Sequence, residues 1–303
     1  MRIIYIGIAA LVVLASACAQ KTQGAESLPL QTTQARSADY QDWSSVGYFG
    51  NESLLVTQGD SRFLFDPLFD NTFGVFQPVP EDYAEALLSG EGQFANIDAI
   101  FISHLHADHW SAEKVAAYLQ RHKRTKLYMP AGGVDQLRSV VPEDDNLYER
   151  IVPVTIELNG PPQSFQIGEV EIDVVRVPHA GGERHAGVVN LIWRVTLGDG
   201  ATIMHMGDAA PEHEHYAAYA QHFAKLETDA AFPPYWLLVP EAGRALMRDD
   251  LNVLHSIGIH VPVGVPIALI ESGAEYFSHP GHSIILKASD GFVPVSVPPE
   301  PAE

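Results

Sequence analysis

Between His104 and Trp110 the chain reads HLHADHW, three histidines and an aspartate crowded directly behind the apolar run DAIFI. His104 and His106 stand two apart. In extended chain, side chains at i and i+2 point the same way, so the two imidazoles can converge on one point. His109 follows where the chain turns toward a helix, and with Asp108 it can face a neighbouring point. Neutral imidazole is the commonest ligand for zinc and also suits iron, nickel and copper. A single ion rarely takes four ligands from six residues. Two adjacent ions, completed by ligands from elsewhere, are the economical reading. Single histidines are more often surface or packed side chains, and His122, His222 and His255 are read that way. A His-rich tract can also bind metal loosely, but its place behind a buried strand marks this one as a built site.

The remaining ligands are expected where other strands end, since a rigid scaffold positions a site best. His179 closes VVRVPHAGG, ahead of Gly181 and Gly182, and Asp208 closes ATIMHMGD in the same manner. His260, in IGIHVPV, is read as the start of a strand that follows a helix. His279 and His282, in the turn-rich FSHPGHS, are its rivals. His205 alternates with apolar strand residues and is read as packing. His213 and His215 fall on a solvated helix face or line the cleft.

Several elements must carry these residues. SLLVTQGDSRFLFDP is a predicted hairpin around a Gly-containing turn, and Pro67 ends its second strand. EDYAEALLSG is a helix stopped by Gly90. DAIFIS is a continuous apolar strand, as expected when both faces are covered. SAEKVAAYLQRH is a helix with Ser111 as N-cap, and KLYMP with AGGVDQLRSVV gives another strand and helix. VEIDVVRVP, VVNLIWRVTLGDG and ATIMHMGD are strands. PEHEHYAAYAQHFAKL and GRALMRDDLNVLHSIG are predicted helices, and GIHVPVGV a late strand. Strand-rich halves, each followed by helices, give an α/β protein with four αββα layers. No glycine-rich phosphate loop of dinucleotide or Walker type appears. AAFPPYWLLVPEAGRALM is read as core leading into a helix, with a substrate wall or lipid-facing lip as the functional alternative.

The 303 residues are 46% hydrophobic, enough for a sizeable core, and carry a net charge of −20. Such a surface repels phosphate backbones, so nucleic acid is not expected as a partner. A metal centre can still hold anions locally. Residues 1–18 have the shape of a secretory signal: one early cation, then YIGIAALVVLASAC, too short for a comfortable span. Ala15-Ser16-Ala17-Cys18 resembles a bacterial lipobox, with Ala15 where Leu is usual. Cleavage before Cys18 and lipidation of its thiol are expected, and ordinary cleavage near Ala-x-Ala or an uncleaved anchor is the alternative. The expected setting is the bacterial envelope, anchored through lipid and facing the periplasm or cell surface. Cys18 is the chain's single cysteine, so no internal disulfide is possible. Residues 19–42 read as a flexible tether, 43–292 as the folded domain and 293–303 as a Pro-rich tail.

HLHADH, followed in order by His179, Asp208 and His260, resembles the metallo-β-lactamase superfamily. GYFGNESLLVTQGDSRFLFDPLF resembles its opening hairpin, particularly in the branch of ascorbate-phosphate-lactonase-like and N-acyl-phosphatidylethanolamine phospholipase D-like hydrolases. The resemblance covers roughly residues 45–270 and implies the four-layer αββα metallo-β-lactamase sandwich. Many members of the branch have histidine after the Gly of the opening strand, where this chain has Asn51. Carried over by motif, one ion is held by His104, His106 and His179, and the second by Asp108, His109 and His260. Asp208 bridges them, which makes Asp108 and Asp208 the carboxylates of the catalytic centre. Asp66, in FLFDP, orients a ligand or the ligand loop from behind. Zinc is the default metal, with manganese or iron using the same ligands.

Two such cations lower the pKa of a shared water from ~15.7 toward neutrality, and polarise the substrate oxygen. The bridging hydroxide then serves as nucleophile, and no Ser or Cys is needed. Asp208 as a bridge argues against a true β-lactamase. Hydrolysis of an ester-type bond is expected, in a lactone, a carboxylic ester or a phosphodiester of a small molecule or lipid. A metal-binding envelope lipoprotein without catalysis is the reading from a different class.

Overall fold

Alternation of apolar residues builds two sheets, each with one face turned toward the other. The computed structural model describes residues 43–287 and 291–296. The expected signal, Cys18 and the tether lie outside the described residues. The first sheet starts with β1 (Ser44–Gly50), β2 (Ser53–Gln58) and β3 (Ser61–Phe65), antiparallel neighbours as the predicted hairpin requires. After helix α1 (Glu81–Ser89), β4 (Ala99–Phe101) lies parallel to β3. Helix α2 (Ala112–Arg121) follows, and Ser111 caps it by accepting from the Lys114 amide. Strand β5 (Lys126–Pro130), helix α3 (Gly133–Val140) and β6 (Ile151–Val154) complete this parallel half.

The second sheet takes β7 (Gln163–Ile167), β8 (Val170–Pro178), β9 (Val189–Thr196), β10 (Thr202–His205), β11 (Thr228–Phe232), β12 (Val253–Gly258) and β13 (Glu275–Tyr276). Its strands lie side by side in chain order, from β7 at one edge to β13 at the other. Short helices α4 (Ala220–Phe223), α5 (Glu241–Ala245) and α6 (Ile267–Ser272) fall between its later strands. The chain then returns to the first sheet, where β14 (His282–Lys287) pairs with β1 and β15 (Gly291–Ser296) with β14. That sheet therefore runs past the domain end expected at 292, into the segment read as a tail.

Three apolar layers hold the sandwich. Tyr48, Leu54, Phe63, Phe101, Trp193 and Phe232 are among the side chains buried between the sheets. Their strand neighbours Leu55, Leu64, Ile100 and Leu127 face outward and are covered by Val115, Leu119 and Leu137 of α2 and α3. On the far side, Val175, Ile192 and Met204 are covered by Tyr216, Tyr219, Phe223 and Leu246. The order helix, sheet, sheet, helix is the four-layer αββα arrangement expected from the sequence.

Three expected elements differ. PEHEHYAAYAQHFAKL is not one helix but two 3-10 turns, His213–His215 and Ala217–Tyr219, followed by α4. The Tyr216 hydroxyl donates to the Ala210 carbonyl and that of Tyr219 to Arg176, and these anchors override helix propensity. GRALMRDDLNVLHSIG starts as α5, passes through a π-helical turn (Leu246–Asp250), and then becomes strand β12. Asn252 sits at φ 53°, a left-handed position that ends the helix. GIHVPVGV is a loop, with Pro262, Gly264 and Pro266 unsuited to a ladder. His260 therefore follows the end of a strand and does not begin one. Among the described residues, no helix is long and apolar enough to cross a membrane.

Candidate metal centre

The residues just beyond β3, β4, β8, β10 and β12 meet at one edge of the sandwich. Asp66 directly follows β3, and its amide donates to the Phe101 carbonyl. Ser103 and His104 follow β4, and the Ser103 carbonyl accepts from Leu191 of the second sheet. His109 and Trp110 donate back to the His106 carbonyl, curling the HLHADH stretch into a tight turn. His179 and Ala209 form a β-bridge, which places the residue after β8 beside the loop after β10. The His260 amide donates to the Asn51 carbonyl, and the Asn51 side chain donates to the Asp108 carbonyl. Asn51, at the position where histidine is common in the resembling branch, thus ties two ligand loops together.

Two groups result. His104, His106, His179 and Asp208 form one, with one ligand atom of each within 4.8 Å of the others; Asp108, His109 and His260 form the second on the same measure. Asp208 lies between them. Its Oδ2 is 3.1 Å from His179 Nε2 and 3.9 Å from His104 Nε2. Its Oδ1 is 3.1 Å from His260 Nε2 and 3.5 Å from His109 Nε2. Asp108 Oδ2 is 3.4 Å from His260 Nε2. All seven sequence-predicted ligands are brought together.

Three of the imidazoles, those of His104, His109 and His179, are aimed from behind. Asp66 Oδ2 accepts from His109 Nδ1 at 2.8 Å and from the Ser103 hydroxyl at 2.5 Å, while Oδ1 accepts from the Ser103 amide. Because Ser103 donates to Asp66, its oxygen accepts from His104 Nδ1 at 3.0 Å. His179 Nδ1 donates to the Ala180 carbonyl. The Nδ1 protons are committed, so the Nε2 lone pairs of His104, His109 and His179 point inward. Those three nitrogens, both nitrogens of His260 and Asp208 Oδ1 are buried without a hydrogen-bond partner. Buried polar atoms are seldom left so. Divalent metal would satisfy the inward-facing set, since the donors, imidazole nitrogen and carboxylate oxygen, suit a divalent ion.

The electrostatics agree. Burial opposes charge on Asp208, yet His260 and His109 hold its carboxyl well below the usual range. Burial, with His109 alongside, pushes His104 well below the ordinary imidazole value, and burial lowers His106 too. His109 and His260 go the other way. Burial opposes their charge, but neighbouring carboxylates, Asp208 foremost, raise His109 to about 9 and His260 well above its usual value. The centre is strained as well as charged: Asn51, Asp66 and His260 have φ of 42°, 41° and 58°, conformations seldom adopted outside glycine.

The other histidines lie elsewhere. His213 pairs with Asp250 and His215 with Glu212. The rings of His279 and His282 lie tilted against one another at the start of β14, 5.3 Å between centroids, and neither joins the cluster. His205 packs as expected, stacked on Phe65, and its Nε2 donates to the Glu52 carbonyl. Two neighbours of the site escaped sequence reasoning. Glu52 is fully buried, with Oε2 3.5 Å from His205 Nε2 and 3.8 Å from His109 Nδ1. Burial pushes its carboxyl well above the usual range, against the pull of His109. His185, on the loop after His179, has its ring centroid 4.7 Å from that of His179 and 5.1 Å from that of His106. Their signal was position: Glu52 and His185 both fall in loops at the same sheet edge.

A two-sheet sandwich with clustered His and Asp at one edge defines a metal-dependent hydrolase fold. Residues 61–255 match the beta-lactamase superfamily domain, and the chain belongs to that superfamily. None of the curated proteins matches the chain. Among solved structures, the metallo hydrolase Igni18 from Ignicoccus hospitalis is similar at 16% identity and a TM-score of 0.52, over 80% of this chain and 98% of that one. The metallo-beta-lactamase fold protein YhfI from Bacillus subtilis is similar at 14% identity and TM-score 0.51, over 80% and 99%. An isothiocyanate hydrolase from Delia radicum gut bacteria is similar at 16% and 0.51, over 77% and 95%. At these identities the likeness is one of fold.

Proposed function

We propose that the protein is a binuclear metal-dependent hydrolase of ester-type bonds, acting on a lactone or a phosphodiester, in the ascorbate-phosphate-lactonase-like and phospholipase D-like branch. The observation that carries this is Asp208, whose two oxygens each lie 3.1 Å from a histidine of a different group. His104, His106 and His179 would hold one cation, Asp108, His109 and His260 the other, and Asp208 both, with zinc the default. Two divalent cations bound there would supply Lewis acidity toward water and toward the substrate oxygen. The chain does the rest. Asp66 and Ser103 fix which nitrogen of His109 and His104 faces inward. Trp236, whose indole donates to the Ala209 carbonyl, and Phe76 pack on His260 and keep bulk water from that ring. His185 stands beside His106 and His179, where a ring can carry a proton to or from a leaving group. Lipidation at Cys18 and export to the envelope belong to the same reading.

The test is hydrolysis of a chromogenic phosphodiester and a set of lactones by the metal-loaded protein, with chelated protein and Asp208→Asn beside it. Chelator-sensitive turnover that Asp208→Asn lowers by several orders of magnitude is expected. Metal titration of Asp208→Asn should show both groups weakened, whereas His179→Ala weakens mainly the first. Full metal loading without turnover on either substrate class would turn the assignment toward a metal-binding lipoprotein.

A further inference from the structure

An apolar lip stands beside the metal centre. Among the described residues, ten large hydrophobic side chains are strongly exposed, and five belong to two short segments: Phe73 (57%), Val75 (45%), Val263 (57%), Ile267 (71%) and Ile270 (56%). One segment follows Asp66 and the other follows His260. In a chain with a net charge of −20, residues 71–80 (NTFGVFQPVP) and 261–270 (VPVGVPIALI) carry no charge at all. Scattered exposed hydrophobics are ordinary, but a contiguous uncharged set marks a binding surface.

The two segments are fastened to each other and to the ligand loops. Phe76 and Pro262 form a β-bridge, and the Val263 amide donates to the Val75 carbonyl at 2.8 Å. The Asp70 and Asn71 amides both donate to the Ala107 carbonyl, inside the HLHADH turn. Phe76 lies edge-on to the His260 ring at 3.9 Å between centroids. Ile267 and Ile270, three apart on α6, share one helix face, and Leu269 turns inward as its anchor. AAFPPYWLLVPEAGRALM, the segment weighed as a lip from sequence, does not supply it: Phe232, Leu237, Leu238 and Leu246 are buried in the core.

We propose that this lip seats the aliphatic chain of the substrate, so that the preferred substrate is an amphiphile: an ester-type bond at the metal centre with an alkyl or acyl tail along Phe73, Val75, Val263 and Ile267. The tail is the occupant because the surface is continuous with the ligand loops, and whatever lies on it is joined to the group those ligands face. The inference rests on the hydrolase reading for the identity of the bond, and on the lip alone for the tail.

Butyl-, octyl- and dodecylphosphonate, which are not hydrolysed, separate the two. Calorimetric titration of the full chain, metal-loaded and chelated, below the micelle concentration should show affinity rising about two- to fourfold per added methylene, the range for a partly to fully buried CH2. In Phe73→Ser/Ile267→Ser the rise should flatten. These side chains are more than half exposed, so folding is not at stake, and an unchanged melting temperature verifies it. Leu254→Ser, also more than half exposed but on β12, should leave the rise as it was. Affinity independent of chain length overturns the proposal, and so does a lip-dependent dimer in sedimentation, or lip-dependent vesicle binding with a flat series. A rising series without turnover on any ester keeps the lip and removes the hydrolase reading; turnover with a flat series does the reverse.

Discussion

Asp66 reaches three donors with two oxygens, and each contact fixes a ligand. Through His109 Nδ1 it sets the ring facing the second group; through Ser103 it sets His104 in the first. In Asp66→Asn the amide cannot accept everywhere the carboxylate did. Metal affinity should fall about 10- to 100-fold, the cost usual for an outer partner of a metal ligand, with the apo fold retained. Competition against a chromophoric chelator measures it. The two groups should also differ in pH response. Without a cation, Asp208 and its neighbouring carboxylates outweigh burial and keep His109 protonated up to about 9, with His260 raised too. Binding at the second group must expel those protons. Its apparent affinity should therefore weaken as pH falls from 9, by about tenfold per unit for each proton displaced. The first group, where burial keeps His104 and His106 neutral, should respond less. Calorimetric titrations at pH 6 to 9 would show equal slopes if this account is wrong.

At the scale of elements, the loop after β10 depends on Gly207. Its φ is 55°, and a Cβ there would lie 2.5 Å from Asn190 Oδ1 and 2.6 Å from Ser103 Cβ. Gly207→Ala should cost on the order of 1–3 kcal/mol in urea unfolding, and by displacing Asp208 it should loosen both metal groups. The sequence made much of this frame legible. Strand periodicity located β2, β3, β4 and β8, and histidines i and i+2 apart at a strand end announced convergence. What stayed hidden was tertiary. GNES reads as a polar turn, and nothing local says that Glu52 will be fully buried. LNVLHSIG follows helix formers without a break that propensity can see, so local sequence alone predicts a helix where β12 forms and sets His260 at the start of a strand, not after one. His260 reaches the cluster all the same, because what it requires, a strand end at the shared edge, is met from either side of a strand.

Across the whole molecule, the metal ligands are drawn from positions 104 to 260 and from both sheets. A chain with one cysteine has no disulfide to link such distant parts. Cations bound at the cluster would take that role. Each site occupied at a hundred times its Kd adds about 2.7 kcal/mol by mass action. Chelation should therefore lower the melting temperature by several degrees. Amide exchange should quicken first in the loops after β4, β8, β10 and β12, ahead of the strands. A melting temperature indifferent to chelator would count against cations as structural ties.

Strand β1 has a further consequence. Its end at Gly50 lies at the ligand edge, since Asn51 touches Asp108 and His260. Its start at Ser44 lies six residues back, roughly 20 Å away at the rise of a strand. The polypeptide thus enters the sandwich from the side opposite the chemistry. A support attached at Ser44 would therefore leave the reactive edge facing the solution.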